Sequence, residues 1–186
     1  MSNRSEQLPQ PPGWVRLHHI GYVLRSIEND AEDFARSLGA TWDGKIVFDP
    51  LQKVRVTFLQ GENAADPLIE LVEPGGLESP VSRFMERGGG LHHVCYEVEA
   101  MEPHLAFCKS VGNIVIRQPV PAVAFDGRRI AWAVTKRRLL VEFLEGGRIR
   151  DWERDLHPRD SALGSFDSPN ESNDRDFSEI PDLLER

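Results

Sequence analysis

The sequence is poor in cysteine, in clustered basic residues and in long apolar runs, and each shortage excludes a class of protein. Two cysteines, Cys95 and Cys108, cannot form the disulfide framework of a small secreted scaffold. Lys and Arg number 22 against 30 Asp and Glu, and they form no cluster of the kind that binds nucleic acid or an anionic membrane. Apolar runs of only a few residues predict neither a transmembrane span nor a secretory signal. We therefore expect a cytoplasmic protein whose partner is neither nucleic acid nor a membrane.

The 186 residues divide by composition into a leader, a core and a tail. Residues 1–14 are polar and rich in proline, which predicts a flexible leader. Residues 147–186 carry eleven Asp plus Glu against six Arg, with few apolar residues to offset the entropy of ordering. We expect this segment to be an acidic, mobile tail. Residues 15–146 are long enough and apolar enough to form one domain.

An internal repeat dominates the core. Residues 17–23 (LHHIGYV) match residues 91–97 (LHHVCYE), including the doubled histidine and the tyrosine. Residues 68–73 (LIELVE) likewise match residues 140–145 (LVEFLE). Similarity at this spacing predicts two copies of one structural unit, over about residues 15–75 and 90–146.

Each copy has the apolar pattern of a strand, a helix and three further strands. The first helix is predicted over residues 27–38, with Ser26 as its N-cap and Gly39 at its end; the second begins near Met101 and ends at Gly112. The further strands are predicted at residues 45–48, 54–59 and 67–72, and at residues 114–117, 129–134 and 139–144. A short helix over residues 81–87 is expected to join the copies.

Each copy also contributes one histidine near the start of its first strand and one glutamate within its last. A pseudo-twofold relation between the copies would bring His19, Glu70, His93 and Glu142 together. Both glutamates lie in otherwise apolar strands, where an uncompensated carboxylate is costly. Two imidazoles and two carboxylates suit one divalent metal ion, such as Co, Mn, Ni, Zn or Fe(II). The repeat therefore predicts a metal site.

The residues beside these candidates receive simpler interpretations. His18 and His92 precede the candidate ligands, so strand alternation predicts that they face the other side of the sheet, as packing or supporting residues. Cys95 is expected on the same face as His93, and a small buried hydrophobic role is the favoured interpretation.

A series of short motifs follows along the core in an order shared with a known family. They are HIG at 19–21, VRVTFL at 54–59, IELVEP at 69–74, SPVSRF at 79–84, GLHHVCYEV at 90–98, GRRIAW at 127–132 and LVE at 140–142. In these motifs the chain resembles the vicinal oxygen chelate (glyoxalase, bleomycin resistance and dioxygenase) superfamily, and within it methylmalonyl-CoA epimerase. The resemblance implies an α+β fold in which duplicated βαβββ modules form a cupped eight-stranded mixed sheet.

The resemblance also implies a reaction. In that family a metal held by residues in the positions of His19, Glu70, His93 and Glu142 polarises a carbonyl group, so that an α-proton leaves and an enolate forms. Glu142 would also lie near that proton, which makes it a candidate catalytic residue. The family's second catalytic glutamate precedes the VRV strand, and Leu51 stands in its place here. Because leucine cannot carry a proton, Asp49 is the candidate replacement, with Lys53 as an alternative from the same loop.

Four functions are compatible with these features. The first is a metal-dependent isomerase or lyase acting on a small molecule, expected to be an acyl-CoA or acyl-carrier thioester. The second is a glyoxalase I-like lyase acting on a hemithioacetal, and the third is an Fe(II) dioxygenase. The fourth is a binding or resistance protein that sequesters a small molecule without catalysis, although such a protein does not need four ligands. Apolar sheet edges in a duplicated module also favour a homodimer.

Overall fold

The computed structural model describes residues 9–147, which form one mixed sheet flanked by helices. The predicted leader and tail lie largely outside this range. Within it the elements are, in order, β1 Val15–Val23, α1 Ile27–Leu38, β2 Thr41–Trp42, β3 Val47–Asp49, β4 Val54–Gln60, β5 Leu68–Pro74, α2 Ser82–Glu86, β6 Gly90–Val98, α3 Met101–Ser110, β7 Ile114–Pro121, a 3-10 turn at Val123–Phe125, β8 Arg129–Val134 and β9 Leu140–Glu145.

The sheet is built from two similar halves that meet at its centre. Strand order is β2-β4-β5-β1-β6-β9-β8-β7, with β3 also paired to β4. In each half the first strand runs parallel to the last: β1 pairs with β5, and β6 pairs with β9. The two first strands pair with each other in antiparallel orientation, which joins the halves. The predicted α+β fold with duplicated βαβββ modules is confirmed.

The first half differs from the prediction in having one additional short strand. The segment predicted as one strand at residues 45–48 is preceded by β2, and β3 begins only at Val47. Gly44 adopts a left-handed φ of 79°, and the backbone N–H of Lys45 donates to Asp43 Oδ1 at 2.9 Å. This turn interrupts pairing with β4, so the described chain has nine strands where eight were expected.

Helices α1 and α3 cover one face of the sheet, each over its own half. Ile27, Ala31 and Ala35 of α1 pack with Leu59 and Leu71, and their spacing of four residues gives one apolar stripe. In α3, Met101, Leu105 and Cys108 pack with alternate residues of β8 and β9. Since strand side chains alternate between faces, the intervening residues of these strands point to the opposite side, where the candidate site lies.

The ends of α1 are defined by a glutamate and a glycine. Ser26 occupies the N-cap position without a side-chain capping hydrogen bond, and Glu73 Oε2 of β5 accepts the Ile27 N–H at 2.8 Å instead. The helix ends where Gly39 adopts a φ of 63°. The predicted bounds of this helix are therefore confirmed, whereas the capping group comes from a neighbouring strand. Within residues 9–147, no helix is both long and apolar enough to cross a membrane.

Candidate metal centre

The four predicted ligands lie on the four central strands of the sheet. Glu70 is on β5, His19 on β1, His93 on β6 and Glu142 on β9, which are consecutive in strand order. All four side chains are buried, with exposed fractions between 0% and 6%. Because each half supplies one histidine and one glutamate, the site forms only where the two halves meet.

Donor atoms of His19, Glu70 and His93 lie within 4.8 Å of one another, and Glu142 approaches both imidazoles. His19 Nε2 lies 3.2 Å from His93 Nε2, 3.4 Å from Glu70 Oε2 and 3.1 Å from Glu142 Oε2. His93 Nε2 lies 3.3 Å from Glu70 Oε2 and 3.8 Å from Glu142 Oε2. Such separations match the spacing of donors around one divalent ion whose ligand bonds are about 2.0–2.2 Å long.

Burial favours positive charge at this point. Glu142 Oε2 lies 3.1 Å from His19 Nε2, but no contact from the described residues has the geometry of a hydrogen bond to it, and a buried carboxylate oxygen without such a bond is destabilising. A divalent ion would compensate both carboxylates, and the set of two nitrogens and two oxygens suits Co, Mn, Ni, Zn or Fe(II). Six-coordinate ions would keep two positions for oxygen atoms of a substrate. The residues present therefore fit the metal that the sequence predicts.

The imidazoles and carboxylates of the site shift one another's pKa values. Burial disfavours the charged form of His19, but the carboxylates of Glu70 and Glu142 outweigh burial and hold the pKa of His19 well above its usual value. Burial likewise opposes ionisation of Glu70, but His19 and His93 keep the pKa of Glu70 well below its usual value. The site therefore favours ionised carboxylates beside positive charge, which a metal ion can supply in place of protons.

The first histidine of each doubled pair supports the second. His18 Nδ1 lies 2.9 Å from His19 Nδ1, and His92 Nδ1 lies 3.0 Å from His93 Nδ1. Burial lowers the pKa of His18 to about 2 and that of His92 to about 3, so both rings are neutral and can accept a hydrogen bond. A ligand histidine that donates its Nδ1–H in this way directs its Nε2 lone pair toward the metal position.

The prediction that His18 and His92 face the other side of the sheet is wrong. The pairing of β1 with β6 shifts register between Leu17 and His19 and again between Gly21 and Tyr22. Each shift leaves one residue unpaired, His18 on β1 and His92 on β6, as in a β-bulge. A bulge places consecutive side chains on the same side, so each doubled pair can act as a unit.

Two small residues of β1 and β6 complete the packing around the imidazoles. A Cβ on Gly21 would lie 2.0 Å from His93 Cε1, so only glycine lets the His93 ring occupy its position. This close approach explains the glycine of the HIG motif. Cys95 is fully buried beside His19, and burial raises the pKa of its thiol, which favours the predicted hydrophobic role.

The centre lies at the wall of an apolar cleft of about 810 Å³, a volume that includes its open mouth. Glu70, His93 and Glu142 line this cleft together with His92 and Trp132. The remaining lining residues are mostly apolar and come from both halves: Val54, Val56, Val72, Pro80, Val81, Phe84, Ala122, Ala124, Phe125 and Ile130, with Asp49 and Gln52. The cleft therefore presents the candidate metal ligands on one part of its wall and an apolar surface on the rest.

The loop that follows β7 contributes to this cleft. Ala122, Ala124 and Phe125 line it, and the Phe125 ring stacks on His19 with 5.7 Å between ring centroids and 18° between planes. This loop therefore forms part of the wall of the cleft.

Asp49 reaches the cleft, but its carboxylate is already occupied. Its Oδ1 accepts the backbone N–H groups of Leu51 and Gln52 at 2.8 and 2.9 Å, and its Oδ2 accepts the N–H of Val123 at 2.9 Å. These bonds join the loop before β4 to the loop after β7. The catalytic assignment of Asp49 stays a prediction, and the hydrogen bonds favour a positioning role.

Leu51 and Lys53 of this loop lie away from the reaction centre. Leu51 is 48% exposed and is not among the residues that line the cleft. Lys53 Nζ pairs with Glu78 Oε2 at 3.2 Å, and both side chains are more than half exposed. Neither residue therefore offers a proton-transferring group to the cleft.

A duplicated βαβββ sheet with two histidines and two glutamates at its centre defines the vicinal oxygen chelate class. The model of the Glyoxalase/Bleomycin resistance protein/Dioxygenase superfamily matches residues 18–132, and the chain belongs to this superfamily. This result confirms the resemblance found in the sequence.

Individual relatives point in the same direction. The chain is 32% identical over 117 residues to an ethylmalonyl-CoA/methylmalonyl-CoA epimerase of Cereibacter sphaeroides, covering 62% of this chain and 84% of the relative. It is 30% identical over 133 residues to the uncharacterized protein YqjC of Bacillus subtilis, covering 70% and 91%. The crystal structure of methylmalonyl-CoA epimerase from Mycobacterium tuberculosis superposes with a TM-score of 0.64 over 76% of this chain and 94% of that one, at 20% identity, which supports the fold.

Proposed function

We propose that the protein is a metal-dependent isomerase or lyase that forms an enolate from an acyl thioester able to chelate a metal through two oxygens. The observation that carries this proposal is the convergence of four buried donor atoms beside an apolar cleft. Its relationship to acyl-CoA epimerases supports the choice of substrate.

His19, Glu70, His93 and Glu142 would hold the ion, and His18 and His92 would orient the two imidazoles through the 2.9 and 3.0 Å contacts. When bound, a divalent ion supplies Lewis-acid polarisation of a carbonyl group, which lowers the energy of the enolate. The protein supplies the orientation of the substrate and the exclusion of water.

Glu142 is the proposed proton acceptor. Its carboxylate is buried and lines the cleft. A carboxylate in this position can take an α-proton from a substrate lying against it and return the proton at the same or a neighbouring carbon. Burial beside apolar side chains keeps competing water away from that proton.

A single carboxylate base distinguishes this proposal from two-base epimerisation. Asp49 would have to break three backbone hydrogen bonds to reach a substrate, and Leu51 cannot transfer a proton. We therefore favour a reaction in which Glu142 performs the proton transfer on one face of the enolate. Asp49 would then keep the two cleft-forming loops together.

The apolar lining favours an acyl group in the cleft. Trp132, Phe125 and Phe84 provide large apolar surfaces, while Val54, Val56 and Val72 form the wall supplied by the first half. Burying a methyl or methylene group against such a wall contributes about 0.8 kcal/mol. This surface suits a branched or extended acyl chain next to the chelating oxygens.

Proton exchange tests the proposed function directly. The metal-loaded protein is expected to exchange the α-proton of methylmalonyl-CoA or ethylmalonyl-CoA for deuterium in D2O, as measured by NMR or mass spectrometry. Glu142→Gln should abolish this exchange. Absence of exchange with every acyl thioester tried would contradict the proposal, and turnover of a hemithioacetal instead would establish the glyoxalase I-like alternative.

A further inference from the structure

Gln52 places a buried amide at the wall of the same cleft. The residue is only 9% exposed and lines the cleft together with Glu70, His93 and Glu142. Its Oε1 accepts a hydrogen bond from Arg117 Nη1 of β7. Its Nε2 is buried and has no hydrogen-bond partner within residues 9–147. Buried amide groups almost always have partners, so this one requires an explanation.

The orientation of the amide is fixed by its neighbours. Arg117 can only donate hydrogen bonds, so the oxygen of the Gln52 amide must face it and the nitrogen must face away. The backbone of Gln52 is held as well, because its N–H donates to Asp49 Oδ1 at 2.9 Å. Arg117 Nη2 also donates to the Leu51 carbonyl at 3.3 Å. The Gln52 amide therefore cannot flip to exchange the positions of its NH2 group and its oxygen.

Gln52 Nε2 and Glu142 Oε2 are among the buried polar atoms of the cleft to which the described residues offer no hydrogen bond. The carboxylate oxygen needs a cation, which the metal would supply. The amide nitrogen is a donor and needs an acceptor oxygen. The apolar side chains that make up most of the lining offer none, so water or a molecule that enters the cleft supplies the acceptor.

We infer that Gln52 Nε2 donates a hydrogen bond to an acceptor oxygen of the substrate, and that it selects for substrates carrying a carboxylate or carbonyl oxygen at this place. The inference rests on the proposed function for the identity of the substrate. The guanidinium of Arg117 donates to the oxygen of the Gln52 amide and so polarises the amide group. This makes the Gln52 NH2 group a stronger hydrogen-bond donor, which favours an anionic oxygen as its acceptor.

The test exchanges the donor for an acceptor of the same shape. Gln52→Glu keeps an oxygen facing Arg117 but replaces the NH2 group by a second oxygen. The metal-loaded variant is expected to bind malonyl-CoA at least about tenfold more weakly than the unmodified protein in calorimetric titration, with the same metal content. Gln118→Glu, on the exposed side of β7, makes the same chemical change away from the cleft and should leave binding unchanged. Equal affinity of Gln52→Glu and the unmodified protein would overturn the inference.

Side-chain NMR separates this inference from the proposed function. The Gln52 NH2 signals, assigned by their absence in Gln52→Glu, should shift when malonyl-CoA is added to the zinc-loaded protein. Acetyl-CoA, which lacks the free carboxylate, shows whether the thioester carbonyl alone suffices. A shift with free malonate but with neither thioester would retain the role of Gln52 and refute the acyl thioester substrate. No shift with any of the three probes would refute the role of Gln52.

Discussion

At the scale of single residues, Gly21 decides whether His93 can reach the metal position. A Cβ at residue 21 would lie 2.0 Å from His93 Cε1, closer than any real contact. Gly21→Ala is therefore expected to displace the ring and to lower metal affinity at least about tenfold, measured by competition with a chelating indicator. Gly61→Ala is the matched control, because the nearest atom to its Cβ would be Oδ2 of the Asp66 side chain, at 3.2 Å. Equal metal affinity in both variants would show that the His93 ring can move without consequence.

The doubled histidines give a second prediction at this scale. His18→Ala and His92→Ala each remove the acceptor for a ligand histidine and should lower metal affinity about 10- to 100-fold. His92→Asn restores a side-chain acceptor and should recover part of the loss. The thermal stability of the metal-free variants serves as the control for folding. Unchanged affinity in both alanine variants would mean that the Nδ1 contacts do not orient the ligands.

The four ligands could be predicted from the sequence because the repeat marks equivalent positions in the two halves. The roles of their neighbours could not. A β-bulge adds one residue to a strand without any change of composition, so alternation alone placed His18 and His92 on the wrong face. The hydrogen bond from Val123 to Asp49 joins residues 74 positions apart along the chain, and no local pattern indicates it.

At the scale of elements, each helix is tied to its half of the sheet by a similar ion network. Arg55 of β4 pairs with Glu28 of α1 and with Glu73 of β5, the latter at 2.7 Å. These partners raise the pKa of Arg55 further above its usual value through hydrogen bonds. The second half repeats the arrangement with Arg129, Glu102 and Glu145.

This duplication predicts similar energetic effects in the two halves. Arg55→Met and Arg129→Met should each lower the free energy of unfolding by about 1 kcal/mol, because partial exposure screens the ion pairs. Urea denaturation measures the effect. Arg36→Met is the control, since its pair with Asp33 is more than 70% exposed on both sides and should contribute almost nothing. Equal stability of all three variants would contradict a structural role for the networks.

The sequence predicted the bounds of α1 to the residue but not the networks that fix it. Apolar spacing and Gly39 mark the helix locally, so its extent follows from the chain itself. The partners of Arg55 lie 27 and 18 residues away along the chain. The sequence around a charged residue at an exposed position does not indicate which distant residue it pairs with. The split between β2 and β3 likewise depends on how one turn fits the edge of the sheet.

At the scale of the whole molecule, residues 9–147 contain the four proposed ligands, the cleft that they line and the core that supports them. The two helices, the sheet and both cleft-forming loops lie within this range, and the Gly147 N–H donates to Glu97 Oε1 at 3.3 Å. A chain ending at Gly147 should therefore bind metal as the full chain does. Its melting temperature, measured by calorimetry, should stay within about 4 °C, the shift produced by roughly 1 kcal/mol. A larger decrease would show that residues 148–186 pack on the domain.

The central position of the metal ligands has a consequence for folding kinetics. Residues 19, 70, 93 and 142 come together only after both parallel pairings and the antiparallel β1–β6 pairing have formed. A metal ion would then bind the completed sheet and not a partly paired chain. Saturating zinc is expected to slow unfolding strongly and to change refolding little, measured by stopped-flow tryptophan fluorescence. Faster refolding with zinc would show that the ligands assemble early in folding. If only unfolding is slowed, the bound ion determines how long the native state persists.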